Sequence, residues 1–101
     1  MKVIYTDHSR DSLEELTDFL LNELGWSAEN FLEFRTKLID KAESLKNTYN
    51  HYQYEEYLDH LGMKHRRAIE GHIKIIYRVE EEFIYITDFF DTRQDPSSMK
   101  G

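Results

Sequence analysis

The sequence of 101 residues contains no cysteine, and this absence excludes several kinds of chemistry. Disulfide bonds, zinc sites built on thiolates and cysteine nucleophiles all need a residue that the chain lacks. No stretch approaches the roughly 20 apolar residues of a membrane-spanning helix, so we expect no membrane association and a cytoplasmic protein. The four glycines form no cluster of the kind that holds nucleotide phosphates, and we therefore expect no nucleotide cofactor.

The composition of the chain predicts one folded domain. Hydrophobic residues make up 40% of the sequence, charged residues 33% and aromatic residues 14%, which is typical of a globular protein rather than a disordered one. A chain of this length is long enough for one core but not for two. We place the domain at residues 1–96, because Pro96 cannot continue a central strand, and expect residues 97–101 to be a frayed tail.

The first half of the sequence predicts a strand followed by two helices. Residues 3–6 are typical of a strand, after which Asp7 or Ser9 offers a side-chain oxygen to cap a helix. Leucines then recur at helical spacing as far as Gly25, which is a natural terminator. Ser27 is placed to cap a second helix, whose apolar residues again step by three or four. The short connection between the helices predicts an α-helical hairpin.

The second half of the sequence predicts a loop and then three strands. Residues 46–62 lose the helical periodicity, and we interpret them as a loop. Residues 63–69, 72–79 and 83–91 are rich in β-branched and aromatic residues. Short joins, the first at Glu70 and Gly71, predict an antiparallel meander. The expected fold is therefore α+β with the order β-α-α-β-β-β.

A local excess of positive charge marks the beginning of this meander. The chain carries a net charge of −7, yet the fifteen residues from 64 to 78 contain five basic side chains and one acidic side chain, Glu70. Strand alternation predicts that Ile73, Ile75, Tyr77 and Val79 face the helices and that Lys74 and Arg78 lie on the open face. We expect Lys64 and Arg66 to share one face with Ala68 and to converge with Lys74. Such a surface suits a phosphate or an acidic partner segment; a solvated sheet face is the alternative.

The predicted element order, the run Lys74-Ile75-Ile76-Tyr77-Arg78-Val79 and the later pair Thr92-Arg93 together resemble the RelE/ParE superfamily of bacterial type II toxins. This resemblance extends over nearly the whole chain. It implies a toxin that forms a hetero-oligomer with a cognate antitoxin protein, which wraps the toxin with a helix and an extended segment.

One branch of that superfamily cleaves messenger RNA on the ribosome, and the resemblance implies which residues would serve this reaction. Lys64 and Arg66 match its paired strand cations, Lys74 its central strand arginine, and Arg93 the arginine after the last strand. These four residues would orient the phosphate and stabilise charge in a metal-free endoribonuclease. The sequence departs from the branch in having Lys74 in place of arginine and no tyrosine after Arg93.

Two alternatives to RNA cleavage remain open from the sequence. The other branch of the superfamily inhibits DNA gyrase by binding it and lacks the ribonuclease residues, and the acidity of this chain fits that branch somewhat better. In the second alternative the toxin activity has been lost, and the cationic surface only holds an acidic segment of the antitoxin.

The histidines add a minor set of hypotheses. His65 or His72 could accept a proton in place of the missing tyrosine, although an ordinary structural histidine is the simpler interpretation of either. No HExxH motif is present, and we expect no metal site.

Overall fold

The computed structural model describes residues 1–101 and has the predicted α+β layout. The elements are β1 (Lys2–Tyr5), α1 (Asp7–Asp18), α2 (Ala28–Thr48), β2 (Arg66–Glu70), β3 (Ile73–Glu80) and β4 (Phe83–Asp91). The predicted order β-α-α-β-β-β is thereby confirmed. No helix has both the length and the apolar character that crossing a membrane requires.

The four strands form one sheet in the order β1-β4-β3-β2. β2, β3 and β4 pair antiparallel, which confirms the meander, and β1 pairs parallel with β4. β1 covers only the first half of β4, as far as Ile86. Beyond that point α1 lies along the exposed edge, and the Phe89 N–H donates to Ser12 Oγ at 3.0 Å. A helix side chain thus satisfies a backbone group that would otherwise lack a strand partner.

The helix ends follow from local capping, with one correction to the prediction. Thr6, rather than Asp7 or Ser9, caps α1 and accepts a hydrogen bond from the Ser9 N–H at 3.2 Å. Ser27 caps α2 as predicted, accepting from the Asn30 N–H at 3.1 Å. Between the helices the chain makes a π-helical turn and then adopts a φ of +69° at Gly25, a conformation that glycine allows without steric cost.

The main core lies between the two helices and one face of the sheet. Ile73, Ile75 and Tyr77 of β3 point into it, as the alternation predicted, and Tyr77 donates its hydroxyl hydrogen to the Tyr49 carbonyl at 2.6 Å. Val79 lies outside this core and is 37% exposed. From the helices the core receives Leu16, Leu20, Phe31, Leu38, Ala42 and Leu45.

The opposite face of the sheet, called the outer face below, is covered rather than open as predicted. Leu58, Ile76, Phe90 and Met99 form a second buried cluster on it. Leu58 belongs to a 3₁₀ turn (Glu56–Leu61) within the region predicted as a loop, and α2 extends three residues into that region. The expectation of a frayed tail was wrong for Met99, which is 7% exposed because it packs on the sheet.

The core assignment predicts a sharp contrast between two leucines of α2. Leu38→Ala should lower the free energy of unfolding by about 2 to 5 kcal/mol, because Leu38 is fully buried and its removal leaves a cavity. Leu32→Ala is the matched control: Leu32 is 60% exposed, and the same substitution in the same helix should have little effect. Urea unfolding measures both, and equal losses would contradict the assignment.

Candidate functional site

Lys64 does not belong to the strand that was expected to carry it. β2 begins at Arg66, and Lys64 precedes it with a φ of +57°. This left-handed conformation interrupts the extended backbone, so the predicted alternation of Lys64 with Arg66 is wrong. The Lys64 side chain is exposed and makes no ion pair.

Arg66 and Lys74 lie on opposite faces of the sheet, which corrects the prediction that they converge. The turn occupies Gly71 and His72, and the register places Arg66 opposite Tyr77, on the helix side of the sheet. Because this turn has two residues, the odd-numbered residues of β2 pair with the even-numbered residues of β3. Arg67, opposite Ile76, is therefore the arginine that shares the outer face with Lys74.

Residues 52–55, here called the strap, run along the free edge of β2. Two backbone hydrogen bonds hold them there: the Glu55 N–H donates to the His65 carbonyl at 2.8 Å, and the Arg67 N–H donates to the Gln53 carbonyl at 3.0 Å. Tyr54 forms an antiparallel bridge with Arg66. The strap is thus a very short additional strand, and it was not predicted because the surrounding sequence shows no strand alternation.

The strap also binds the side chains of both arginines of β2. The Arg66 guanidinium donates to the Tyr52 carbonyl and to the Tyr54 hydroxyl, and lies 4.1 Å from the centroid of the Tyr54 ring. The Arg67 guanidinium donates to the Tyr54 carbonyl at 2.6 Å and to Gln53 Oε1 at 2.8 Å. Neither arginine is therefore free in this conformation.

Glu55 places a buried carboxylate between two cations of the outer face. Its Oε1 atom accepts a hydrogen bond from Lys74 Nζ at 2.7 Å, and its Oε2 atom lies 3.5 Å from Arg67 Nη1. The Glu55 side chain is 1% exposed, and those of Lys74 and Arg67 are 17% and 18% exposed. A carboxylate so far from water is tolerated because both of its oxygens face positive charge.

Arg93 is held at a different place, beyond the end of β4. Its Nε and Nη2 atoms donate to the two carboxylate oxygens of Asp91 at 2.9 and 2.7 Å. Burial acts to raise the pKa of Asp91, but the hydrogen bonds from Arg93 outweigh it, and the pKa lies below its ordinary value. The guanidinium packs over the ring of Phe19, on the helix side. The structure therefore does not gather Lys64, Arg66, Lys74 and Arg93 into one site.

A polar cavity of about 530 Å³, which was not predicted, lies between α1, β4 and the C-terminal residues. His8 Nε2 stands 3.7 Å from Asp88 Oδ2 at its wall. Burial raises the pKa of Asp88, and the nearby His8 and a hydrogen bond with Ser12 oppose that rise. The contact between His8 and Asp88 could not be predicted from the sequence, because the two residues are 80 positions apart. No group of three or more histidine, aspartate or glutamate side chains is placed to hold a metal ion.

His65 is buried on the outer face with no hydrogen-bond partner for either ring nitrogen. Burial, aided by the positive charge of Arg78, lowers its pKa below the ordinary value. His65 is 2% exposed and lies against Gly101, so it is not accessible to a substrate hydroxyl in this conformation. His72, the other candidate proton acceptor, is exposed in the turn between β2 and β3.

Comparison with known proteins adds no assignment: no family model matches this chain, and no curated protein matches it either.

The burial of His65 predicts a pH dependence of stability. A lowered pKa in the folded state means that protons bind the unfolded state better, so stability is lost as the pH falls below the unfolded pKa of about 6.5. The loss can reach about 1.4 kcal/mol per pH unit until the pH passes the folded-state pKa. His65→Leu should remove most of this loss between pH 7 and pH 5, as measured by urea unfolding. His60→Leu, at an exposed histidine, is the control and should leave the slope unchanged.

Proposed function

We propose that this chain is the toxin of a bacterial type II toxin–antitoxin pair, acting in the cytoplasm, and that it acts by binding a protein target rather than by cleaving RNA. The proposed target is DNA gyrase, and the proposed partner is a cognate antitoxin. The β-α-α-β-β-β order supports the first part, together with the residues 74–79, Thr92 and Arg93 that carry the resemblance to RelE/ParE toxins.

The engagement of the candidate cations within the chain supports the second part. Lys74 is bound to Glu55, Arg93 to Asp91, and Arg66 to the strap. Stabilising a phosphorane requires donors that point together at the place where negative charge develops. Here the donors lie on two faces and at one end of the sheet, and most already have an acceptor. Protein binding makes no such demand on their arrangement.

The overall charge supports the same choice. A net charge of −7 opposes the approach of the chain to the dense phosphate of a ribosome. Screening confines the local attraction of exposed cations to about 10 Å at moderate salt. Lys64 is the one candidate cation that is both exposed and unpaired, and a single lysine is weak compensation.

The proposal predicts inhibition of DNA gyrase without cleavage of messenger RNA. The purified chain should reduce supercoiling by gyrase in a concentration-dependent way, and messages in a reconstituted translation reaction should keep their original 5′ ends. Lys64→Ala and Arg93→Ala proteins should inhibit gyrase as the unchanged chain does, because neither residue is needed for the proposed activity.

Two other outcomes would contradict this prediction in different ways. Codon-phased cuts in messenger RNA that fall by about 10²- to 10³-fold in the Lys64→Ala and Arg93→Ala proteins would establish the ribonuclease alternative. Intact messages together with unaffected supercoiling would favour the inactive alternative, in which the chain only binds its antitoxin.

A further inference from the structure

We propose that a partner can displace the strap, and that the edge of β2 then binds an extended acidic peptide segment of that partner where the strap lay. This inference deepens the proposed function, since it names the chemistry of the segment through which a protein partner docks. Three features of the structure support it: the two backbone hydrogen bonds of the strap, the buried Glu55 carboxylate and the unpaired remainder of the β2 edge.

The backbone of the strap shows how a partner would pair. Addition of an extended peptide to a free sheet edge is a common mode of peptide recognition, in which backbone hydrogen bonds give affinity and side-chain pockets give specificity. The strap already does this from within the chain, antiparallel to β2, with Gln53 and Glu55 supplying the two hydrogen bonds. A partner segment in the same direction would reproduce both.

The side chains of the strap show why the partner should be acidic. Lys74 and Arg67 supply two positive charges to the outer face, and Glu55 is the one carboxylate between them. Without it two nearly buried cations would be left facing each other at high cost. Any segment that displaces the strap must therefore bring a carboxylate to the same position, namely the residue that pairs with His65.

A partner can pair with a part of the β2 edge that the strap leaves unpaired. Backbone groups of an edge strand alternate in direction, and Ile69 shares the outward direction of Arg67. The strap stops short of Ile69, which is 54% exposed. A partner segment that continues one residue beyond the strap, to the position of His51, would pair with Ile69 and cover its side chain. The strap cannot extend in this way because the preceding residues, Tyr49–His51, form a 3₁₀ turn that continues α2.

Displacement also requires that the strap can open without unfolding the sheet. It lies between two 3₁₀ turns, and it adds to the edge of β2 without interrupting the pairing of β2 with β3. The strongest anchor nearby is Leu58, which is buried against Ile76 and Phe90. Opening therefore costs the strap contacts, part of this small cluster and the packing of Tyr52 against the rim of the main core, while the buried residues of that core stay in place. Such local opening below the free energy of global unfolding is a general property of peripheral segments.

The test uses the strap's own sequence as the probe. A fluorescein-labelled peptide of residues 50–58, NHYQYEEYL, is titrated with the unchanged chain and with Glu55→Gln and Glu56→Gln proteins. The Glu55→Gln protein should bind the peptide at least about tenfold more tightly than the unchanged chain, because its own strap has lost a charge-assisted hydrogen bond. The Glu56→Gln protein should match the unchanged chain, since Glu56 is exposed. A peptide carrying glutamine in place of Glu55 should lose the gain.

Hydrogen exchange gives an independent readout on the unchanged chain, which keeps the test valid if the Glu55→Gln protein does not fold. At saturating peptide, the Glu55 amide should lose protection while the Arg67 amide keeps it, because a new strand replaces the strap on Arg67. Protection of both amides, or of neither, would overturn the proposal.

Two binding results would also overturn it. The first is equal affinity of the peptide for the Glu55→Gln protein and the unchanged chain. The second is tighter binding of the Glu55→Gln protein to a short oligouridylate than to the peptide, which would make the two cations a phosphate site instead. Neither readout involves gyrase, so failure here with gyrase inhibition intact would reject the strap proposal alone.

Discussion

The carboxylate of Glu55, buried between Lys74 and Arg67, is the interaction on which the outer face of this protein depends. Two cations that are each more than four-fifths buried are unstable on a sheet face unless a negative charge lies within hydrogen-bond reach. Glu55 provides that charge from outside the sheet, and so joins an otherwise irregular segment to β2 and β3. In the same region Leu58 packs on the sheet, and the strap binds the Arg66 guanidinium.

Because of this arrangement, most of the local positive charge is paired within the chain and is not a free anion-binding surface. The basic residues from Lys64 to Arg78 predict, in the sequence, a surface that binds an external anion. In the structure, Arg67 and Lys74 already bind an acidic residue of the same chain, Arg78 pairs with Glu80, and Arg93 pairs with Asp91. The anion is thus supplied internally. For the same reason we place the proposed activity in protein binding, where an internal segment and a partner segment can compete for one edge.

The sequence predicted those features that depend on short-range periodicity. The alternating apolar residues of β3 and the helical spacing of the leucines fix which faces are buried, and both were correct for Ile73, Ile75 and Leu20. The site was harder to predict because it depends on pairing between segments. The parity of a two-residue turn selects Arg67 over Arg66 as the neighbour of Lys74, and this could have been deduced from the turn alone. The role of Glu55, nineteen residues before Lys74 in a segment without periodicity, could not.

A double-mutant cycle between Glu55 and Lys74 measures directly whether this ion pair holds the strap to the sheet. Unfolding free energies are measured in urea for the unchanged chain, Glu55→Gln, Lys74→Met and the protein with both substitutions. The double substitution should cost less than the sum of the single ones by about 1.5 to 3 kcal/mol, because each single change leaves a buried charge without its partner. Additivity within about 0.5 kcal/mol would contradict it and would mean that the ion pair does not hold the strap to the sheet.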